Sequence, residues 1–421
     1  MPDSDGEGSA DPPAGPNHGT ADSATESAHR THDERLLTGP TGRLLLATSL
    51  GWAAIQTGRL VLSPLLPEIM ADLRISEFRA GLAFTLLWGL YALAQFPSGR
   101  LSDRLSRITL LVPGLALVSV GFVALAGATS YPLYLLGAAV AGLGAGLYPT
   151  AARALVSDLF VERRGRAFGL HTASGDVGGA LSAGLAVAVL AVATWRAAFL
   201  PVVVVLAGVL ALLHVRRPEP YDLRRVDLGA ADTARRLLGN RRFGALLSAY
   251  VLYAFTWQGA VGFLPTFLQS AKGFSAELAG GGFAALFVVG ALVKPVSGAI
   301  SDRLPSKAVV GGAGLALGAA SLAGTLVVPS PALVGVGVVG FAAGLMAFPP
   351  AMQAHLMDAF PDDSMGGDLG AARTVYIGLG SLGPSYVGFV AERAGYVPAF
   401  AGLVACLLVA AGLVFALEVT R

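Results

Sequence analysis

Charge is what this chain has least of. Only 13% of its 421 residues are Asp, Glu, Lys or Arg, against 54% hydrophobic ones. A soluble domain carries roughly 25% charged residues, and a chain of this length would need them to cover its outside. The scarcity excludes a water-facing globule. Cysteine is nearly absent as well. Cys406 stands alone in an apolar stretch, so it can form no internal disulfide and reads as a small buried hydrophobe. Lysine occurs three times, at 272, 294 and 307, which makes each one worth locating. A formal net charge of +2 gives no argument for nucleic acid. The sequence holds no His-Glu-x-x-His and no nucleophile set beside a base, so no enzyme, metal site or cofactor is expected. Residues 1–37 are rich in Pro, Gly, Ser and Asp without an apolar period, as in a disordered tail. They lack the basic start, apolar middle and small-residue site of a cleaved signal.

What the chain does have is long apolar runs. Twelve can be placed, each long enough to cross about 30 Å of hydrocarbon as a helix. The first six cover roughly 43–68, 79–99, 108–129, 132–156, 166–193 and 196–215; the second six cover 243–269, 278–300, 308–328, 331–357, 371–392 and 396–418. A polar connector, 216–242, carries eight arginines between the sets. The spacing therefore predicts an all-α polytopic membrane protein with two six-helix halves, 43–215 and 243–418. Glycine is abundant, at 55 residues. The runs 137–146 and 311–314 read as surfaces on which membrane helices approach closely, since no strand precedes them and no Lys-Ser/Thr follows. Arginine and lysine collect in loops 2–3, 4–5 and 8–9 and in the connector, and are missing from loops 3–4 and 9–10. The positive-inside rule puts both termini and the connector in the cytoplasm. The expected location is the cytoplasmic membrane of a prokaryote, with lipid as a partner and a monomer as the working unit.

The halves repeat one another. Residues 92–105 (Ala-Leu-Ala-Gln-Phe-Pro-Ser-Gly-Arg-Leu-Ser-Asp-Arg-Leu) align with 291–304 at an offset of 199. Pro149, Asp158 and Phe160 align with Pro349, Asp358 and Phe360 at 200. Two matches at nearly one offset mean a duplicated six-helix unit.

The loop Gly99-Arg100-Leu101-Ser102-Asp103-Arg104-Leu105-Ser106-Arg107 resembles the loop motif of the major facilitator superfamily, and Gly298, Asp302, Arg303 and Lys307 form its weaker copy. Thr194-Trp195-Arg196-Ala197-Ala198-Phe199 also resembles that family. The resemblance spans about 43–418. It implies alternating access, with the halves rocking about a central cavity. Asp103, with Arg104 and Arg107, would then lock the inside of one state; orienting the loop is the plainer role for the same charges.

Substrate clues must come from charges inside the membrane, which are costly there. Arg59 lies deep in the first helix, on a span expected to run on toward Met70. The stretch Arg59 to Pro67 resembles helix one of organophosphate antiporters and organic-anion symporters, where an arginine holds the substrate's anionic group. A planar guanidinium suits that role; pairing with a carboxylate and snorkelling outward are the alternatives. Arg153, after Pro149-Thr150, resembles a path-lining arginine of the same symporters. Lys294 takes the place of Gln95 in the repeat, and Lys294-Pro295 resembles the Arg-Pro of nitrate porters. Asp176, in Ser-Gly-Asp-Val-Gly-Gly, is the clear acid of the bundle. A desolvated carboxylate holds protons more tightly, so it is a candidate for proton coupling, with His171 one turn earlier; an ion pair with a nearby cation is the alternative. Tyr250, Tyr253, Trp257 and Gln258 share a helix face by spacing and are candidates to line the cavity, plain helix packing being the alternative, with Gln353 as a further polar wall.

Together these predict a carrier of a small organic anion, a carboxylate foremost, driven by H⁺ or Na⁺. The alternatives are a drug or metabolite exporter, against which Gly178-Gly179 stands where drug antiporters have Gly-Pro, and a nitrate/nitrite-type porter.

Overall fold

In lipid, backbone N–H and C=O groups find no water, and only helices satisfy them within a single segment. A computed structural model of the chain describes residues 35–226, 241–304, 306–357 and 365–419. The expected tail (as far as 34), positions 227–240 of the connector, and Asp358 and Phe360 lie outside the described residues. Within them every regular element is helical. The first half holds α1 (Gly39–Leu60), α2 (Leu66–Leu73), α3 (Glu77–Arg104), α4 (Ile108–Ala126), α5 (Tyr131–Leu159), α6 (Arg164–Leu190) and α7 (Phe199–Val215), the last entered through a 3-10 turn at Trp195–Ala198. The second holds α8 (Arg241–Lys272), α9 (Ala276–Arg303), α10 (Lys307–Val327), α11 (Pro331–Met357), α12 (Met365–Gly380), α13 (Leu382–Ala394) and α14 (Tyr396–Val419).

Ten of these stretches are long and apolar enough to cross a membrane unbroken. The other two expected spans are interrupted, which corrects the first-span expectation. Instead of running on toward Met70, α1 stops at Leu60, and Val61–Leu65 form a turn before α2. Pro64 disfavours the helical conformation at the residue before it and supplies no N–H to the ladder. The last turn of α2, with Ala71, Asp72 and Arg74 exposed, stands in solvent at the face opposite the connector. Between α12 and α13, Pro384 lacks the N–H that would continue the ladder, and Ser381 N instead meets both Ile377 O and Gly378 O.

The duplication holds to the level of single atoms. Ser76 caps α3 by accepting from Arg79 N, and Ser275 caps α9 by accepting from Leu278 N. Ser98 Oγ donates to Leu147 O at 2.8 Å and Ser297 Oγ to Ala347 O at 2.6 Å. Gly114 and Gly144 bring α4 and α5 to backbone contact, as Gly314 and Gly344 do for α10 and α11.

The halves meet along two seams, α3 against α12 and α13, and α6 against α9. At the face opposite the connector they are also sewn together. Ser63 Oγ donates to Gly262 O, Thr85 Oγ1 donates to Ser381 O, Phe78 N donates to Glu392 Oε2, and Phe84 meets Phe263 edge to face. On the connector face α5 and α11 form no packed interface among the described residues. Among the described residues, the joins between the ends of the halves lie on the face opposite the connector.

Trp195 and Arg196 clamp three elements of the first half. Trp195 Nε1 and Arg196 Nη2 donate to Asp72 Oδ2 at 3.2 and 2.7 Å, while Arg196 Nε caps α4 through Ala128 O at 2.7 Å. The hydrogen bond from Arg196 holds the Asp72 carboxyl below the usual carboxylate range, helped by Trp195 and opposed by partial burial.

Two predictions follow from this packing. A Cβ on Gly144 would lie 2.8 Å from Gly114 O, and one on Gly344 2.5 Å from Gly314 O. Gly144→Val and Gly344→Val should each cost about 1–3 kcal/mol, read as matching losses of Tm in detergent; a loss confined to one half would contradict equivalent packing. Because the folded pKa of Asp72 is depressed, the clamp's stabilisation is complete above the ordinary carboxylate pKa of about 3.9 and is lost as pH falls through the lower folded value. Asp72→Asn should therefore flatten the fall in Tm below about pH 4 and leave any other acid transition in place.

Candidate functional site

The most deeply placed cation is Arg59. It is 2% exposed, and its Cζ lies 4.2 Å from the centroid of Trp88 and 4.3 Å from that of Tyr91, both on α3. Such stacking is worth about 2 kcal/mol when desolvated. Arg59 also sits in the last turn of α1, where the negative end of the helix dipole favours a cation. Its Nε and Nη1 have no hydrogen-bond partner. Neither outward snorkelling nor a carboxylate pair accounts for this side chain.

Tyr91 joins Arg59 to a residue the sequence reading passed over. Arg373 on α12 lies beside Tyr91, within hydrogen-bonding reach of its phenol, and near Tyr376 and Tyr250. Its Nε is buried and unpartnered. Arg153 on α5 donates Nε to Pro149 O at 3.1 Å and lies within electrostatic reach of Arg373, Tyr91 and Tyr376. Among the described residues no carboxylate is bonded to Arg59, Arg153 or Arg373. The signal that could have found Arg373 is an arginine one turn before Tyr376 in an otherwise apolar helix.

Aromatic rings from both halves wall this cluster. Tyr250 stands 5.0 Å from Tyr376 and 4.9 Å from Phe348, and Tyr253 stands 4.9 Å from Phe348. Trp52 stacks between Tyr148 and His171. The expected shared face of α8 divides, because neighbours in a helix point about 100° apart. Trp257 turns to Phe287 on α9, whereas Gln258 donates Nε2 to Ile377 O on α12 at 3.0 Å and packs helix on helix. Gln353 is exposed near the end of α11 and has a bonding partner there. His171 is buried with Nδ1 unpartnered and lies within electrostatic reach of Arg153.

Lys294 is not a member of the cationic set. Its Nζ donates to Asp176 Oδ1 and Oδ2 at 2.6 and 2.9 Å, across the α6–α9 seam. Asp176 is 12% exposed and Lys294 29%, so the pair is largely shielded. Sequence reading placed three cations against one acid. In the structure that acid is held by Lys294, a second acid, Asp368, is buried at the start of α12, and Arg373 joins Arg59 and Arg153 as a cation with no bonded carboxylate among the described residues.

On the connector face, Arg107 of the loop motif pairs with Asp158 at the end of α5, 3.0 Å apart. Asp103 and Arg104 are exposed, and among the described residues Asp103 accepts no hydrogen bond; Arg107, Arg100 and Arg104 surround it. Gly99 is buried, Gly298 half-buried, and Asp302 and Arg303 exposed. The start of the connector lies over this loop, with Asp222 N donating to Thr109 Oγ1 and Arg224 Nη2 to Arg104 O.

Asp176→Ala and Lys294→Ala should each destabilise by about 3 kcal/mol, because each strands a shielded charge, whereas the double variant should lose less than the sum. Additive losses in thermal unfolding would show that the two ions are not coupled.

Residues 48–384 match the Major Facilitator Superfamily. The multidrug resistance protein MdtL of Salmonella typhi is 26% identical over 213 residues, 50% of this chain and 54% of that protein. MdtL of Escherichia coli (strain K12 / DH10B) is 35% identical over 99 residues, 24% of this chain and 25% of that one. The chain thus spans about half the length, or less, of these curated relatives. The crystal structure of a bacterial homologue of the human lysosomal transporter Spinster, inward-facing and occupied, superposes with a TM-score of 0.77 at 19% identity, covering 91% of this chain and 98% of that one. A POT family transporter in complex with 5-aminolevulinic acid gives 0.75 at 14% identity, covering 90% and 96%. At these identities the likeness is one of fold. With the sequence match running through most of the chain and both structures sharing its helical architecture, the protein belongs to the Major Facilitator Superfamily.

Proposed function

We propose that this transporter moves a small organic anion, a carboxylate foremost, by alternating access across the cytoplasmic membrane, coupled to H⁺ or Na⁺. The observation that carries the reading is Arg59, a buried guanidinium with two unpartnered donor nitrogens and no carboxylate bonded to it. A charge kept dry in this way is costly, and an anionic substrate reached from the open connector face would supply the missing acceptors. A guanidinium meets a carboxylate with two parallel hydrogen bonds. In this reading the connector face and both termini are cytoplasmic, as the arginine distribution favours, and the unengaged Asp103 belongs to the state open to that side.

The coupling cation acts at Asp176. Protonation of its carboxylate, or Na⁺ placed against it, removes the charge that holds Lys294 and frees the α6–α9 seam to move. His171, packed on Trp52, is the second candidate for handling the proton. A second reading, efflux of a drug or metabolite, is supported by the similarity to the MdtL proteins.

The first test is thermal stability of purified wild type and Arg59→Ala against carboxylates, sugar acids, phosphate esters, nitrate, neutral sugars and lipophilic cations. A ligand at a hundred times its Kd should stabilise wild type by about 2.7 kcal/mol, and that response should vanish in the variant for anions only. Stabilisation of both proteins by lipophilic cations alone would reject the anion reading in favour of efflux. In proteoliposomes, Asp176→Asn should abolish gradient-driven uptake while substrate counterflow persists; uptake at the wild-type rate would remove Asp176 from coupling.

A further inference from the structure

We infer that the substrate is a dianion, held with one negative charge toward each half of the molecule, an inference that rests on the anion reading above. Two of the uncompensated guanidiniums, Arg59 and Arg153, come from the first half, and the third, Arg373, comes from the second. Tyr91 lies between them and interacts with both Arg59 and Arg373. The positive centres thus flank one phenol at the α3–α12 seam, and Arg153 and Arg373 feel each other's charge.

Like charges brought together in a shielded place repel strongly, and no described carboxylate is bonded to any of the three to offset this. Several of the buried polar atoms left without partners fit the same requirement, in a set that also holds the acceptors Gln95 Oε1 and Gln258 Oε1. Arg59 Nε and Nη1 and Arg373 Nε are donors only, and Tyr250 Oη and His171 Nδ1 are able to donate. A single negative charge neutralises one guanidinium and leaves that of the other half without a counter-charge. Two charges, on a short dicarboxylate or on one phosphate monoester, meet both sides at once. The rings of Tyr250, Tyr376 and Phe348 provide an apolar wall for the few carbons between or behind those charges. Because the ligand would touch guanidiniums of both halves, its binding would also draw the seam together.

The test uses full-length protein in detergent at pH 7.5 and charge-matched probes. Each of succinate, glutarate and 2-oxoglutarate is compared with its half-ester, and phenyl phosphate with its methyl diester, by thermal stability and calorimetry. We expect a dianion to bind more tightly than its monoanionic partner. Arg373→Gln should weaken that dianion by about 100-fold while leaving the monoanion within about threefold, as loss of one shielded charge contact implies. Arg373→Lys keeps the charge and serves if the Gln variant does not fold; it should weaken the dianion by about tenfold and spare the monoanion. The dicarboxylate and phosphate arms tell which chemistry carries the two charges. If monoanions bind as tightly as dianions, or if the Arg373 variants affect both equally or neither, the dianion inference is overturned and the anion reading stands. If no anion stabilises the protein, both fail.

Discussion

Membrane helices gain nothing by hiding apolar side chains from one another, since lipid is as apolar as leucine, so their arrangement rests on how closely backbones can approach. In this chain that approach is made by glycine. Gly114 faces Gly144, Gly314 faces Gly344, and Gly81 lets α3 lie against the carbonyl of Pro384. Each is a contact on which a single added carbon would intrude. Within a half such contacts are supplemented by hydroxyls clasping a neighbour's carbonyl, as at Ser98 and Ser297, and the half behaves as one body. Everything functional is carried on these two bodies, and the polar residues matter according to which body they belong to.

Duplication alone would give two equal seams, and the charges make them unequal. Along α6–α9, Asp176 and Lys294 cancel. Along α3–α12 no such cancellation occurs, and Tyr91 stands among guanidiniums. The repeat arithmetic shows how this came about. Lys294 replaces Gln95, whose amide stays within its own half on Gly146 O, and 200 residues beyond Asp176 the chain has Tyr376 in place of an acid. One exchange placed a cation opposite an acid; the other left the arginines with a phenol. A symmetric frame thereby carries one seam bridged by an ion pair and another in which arginines gather about a phenol.

The fold was legible because it follows from bulk properties. Run length, scarcity of charge, arginine distribution and a near-constant repeat offset needed no knowledge of side-chain direction. The site was legible only in part. Arg59 stood out because an arginine so deep in an apolar helix has no cheap explanation. Lys294 stood out for the same reason, yet its partner lies 118 residues earlier, and no local pattern announces a contact made across a seam. Arg373 escaped notice because it lies near the start of its apolar stretch, where an arginine is ordinary. The structure places it inward because α12 begins at Met365, earlier than hydropathy suggested. For Gln258 spacing gave a face but not its neighbours: its Nε2 joins Ser381 N on Ile377 O, while its Oε1 has no partner.

The bonds that join the halves at the face opposite the connector are few and single: buried Ser63 Oγ on Gly262 O, part-buried Thr85 Oγ1 on Ser381 O, and Phe78 N on the exposed Glu392 carboxylate. When the halves part there, the freed groups line the widening mouth, where water enters, and do not meet lipid. Each hydroxyl is exchanged for a water molecule of nearly equal bonding strength, so the net enthalpy of the exchange is small. In the proposed transport cycle, a stitching this thin would add little to the work of parting the halves.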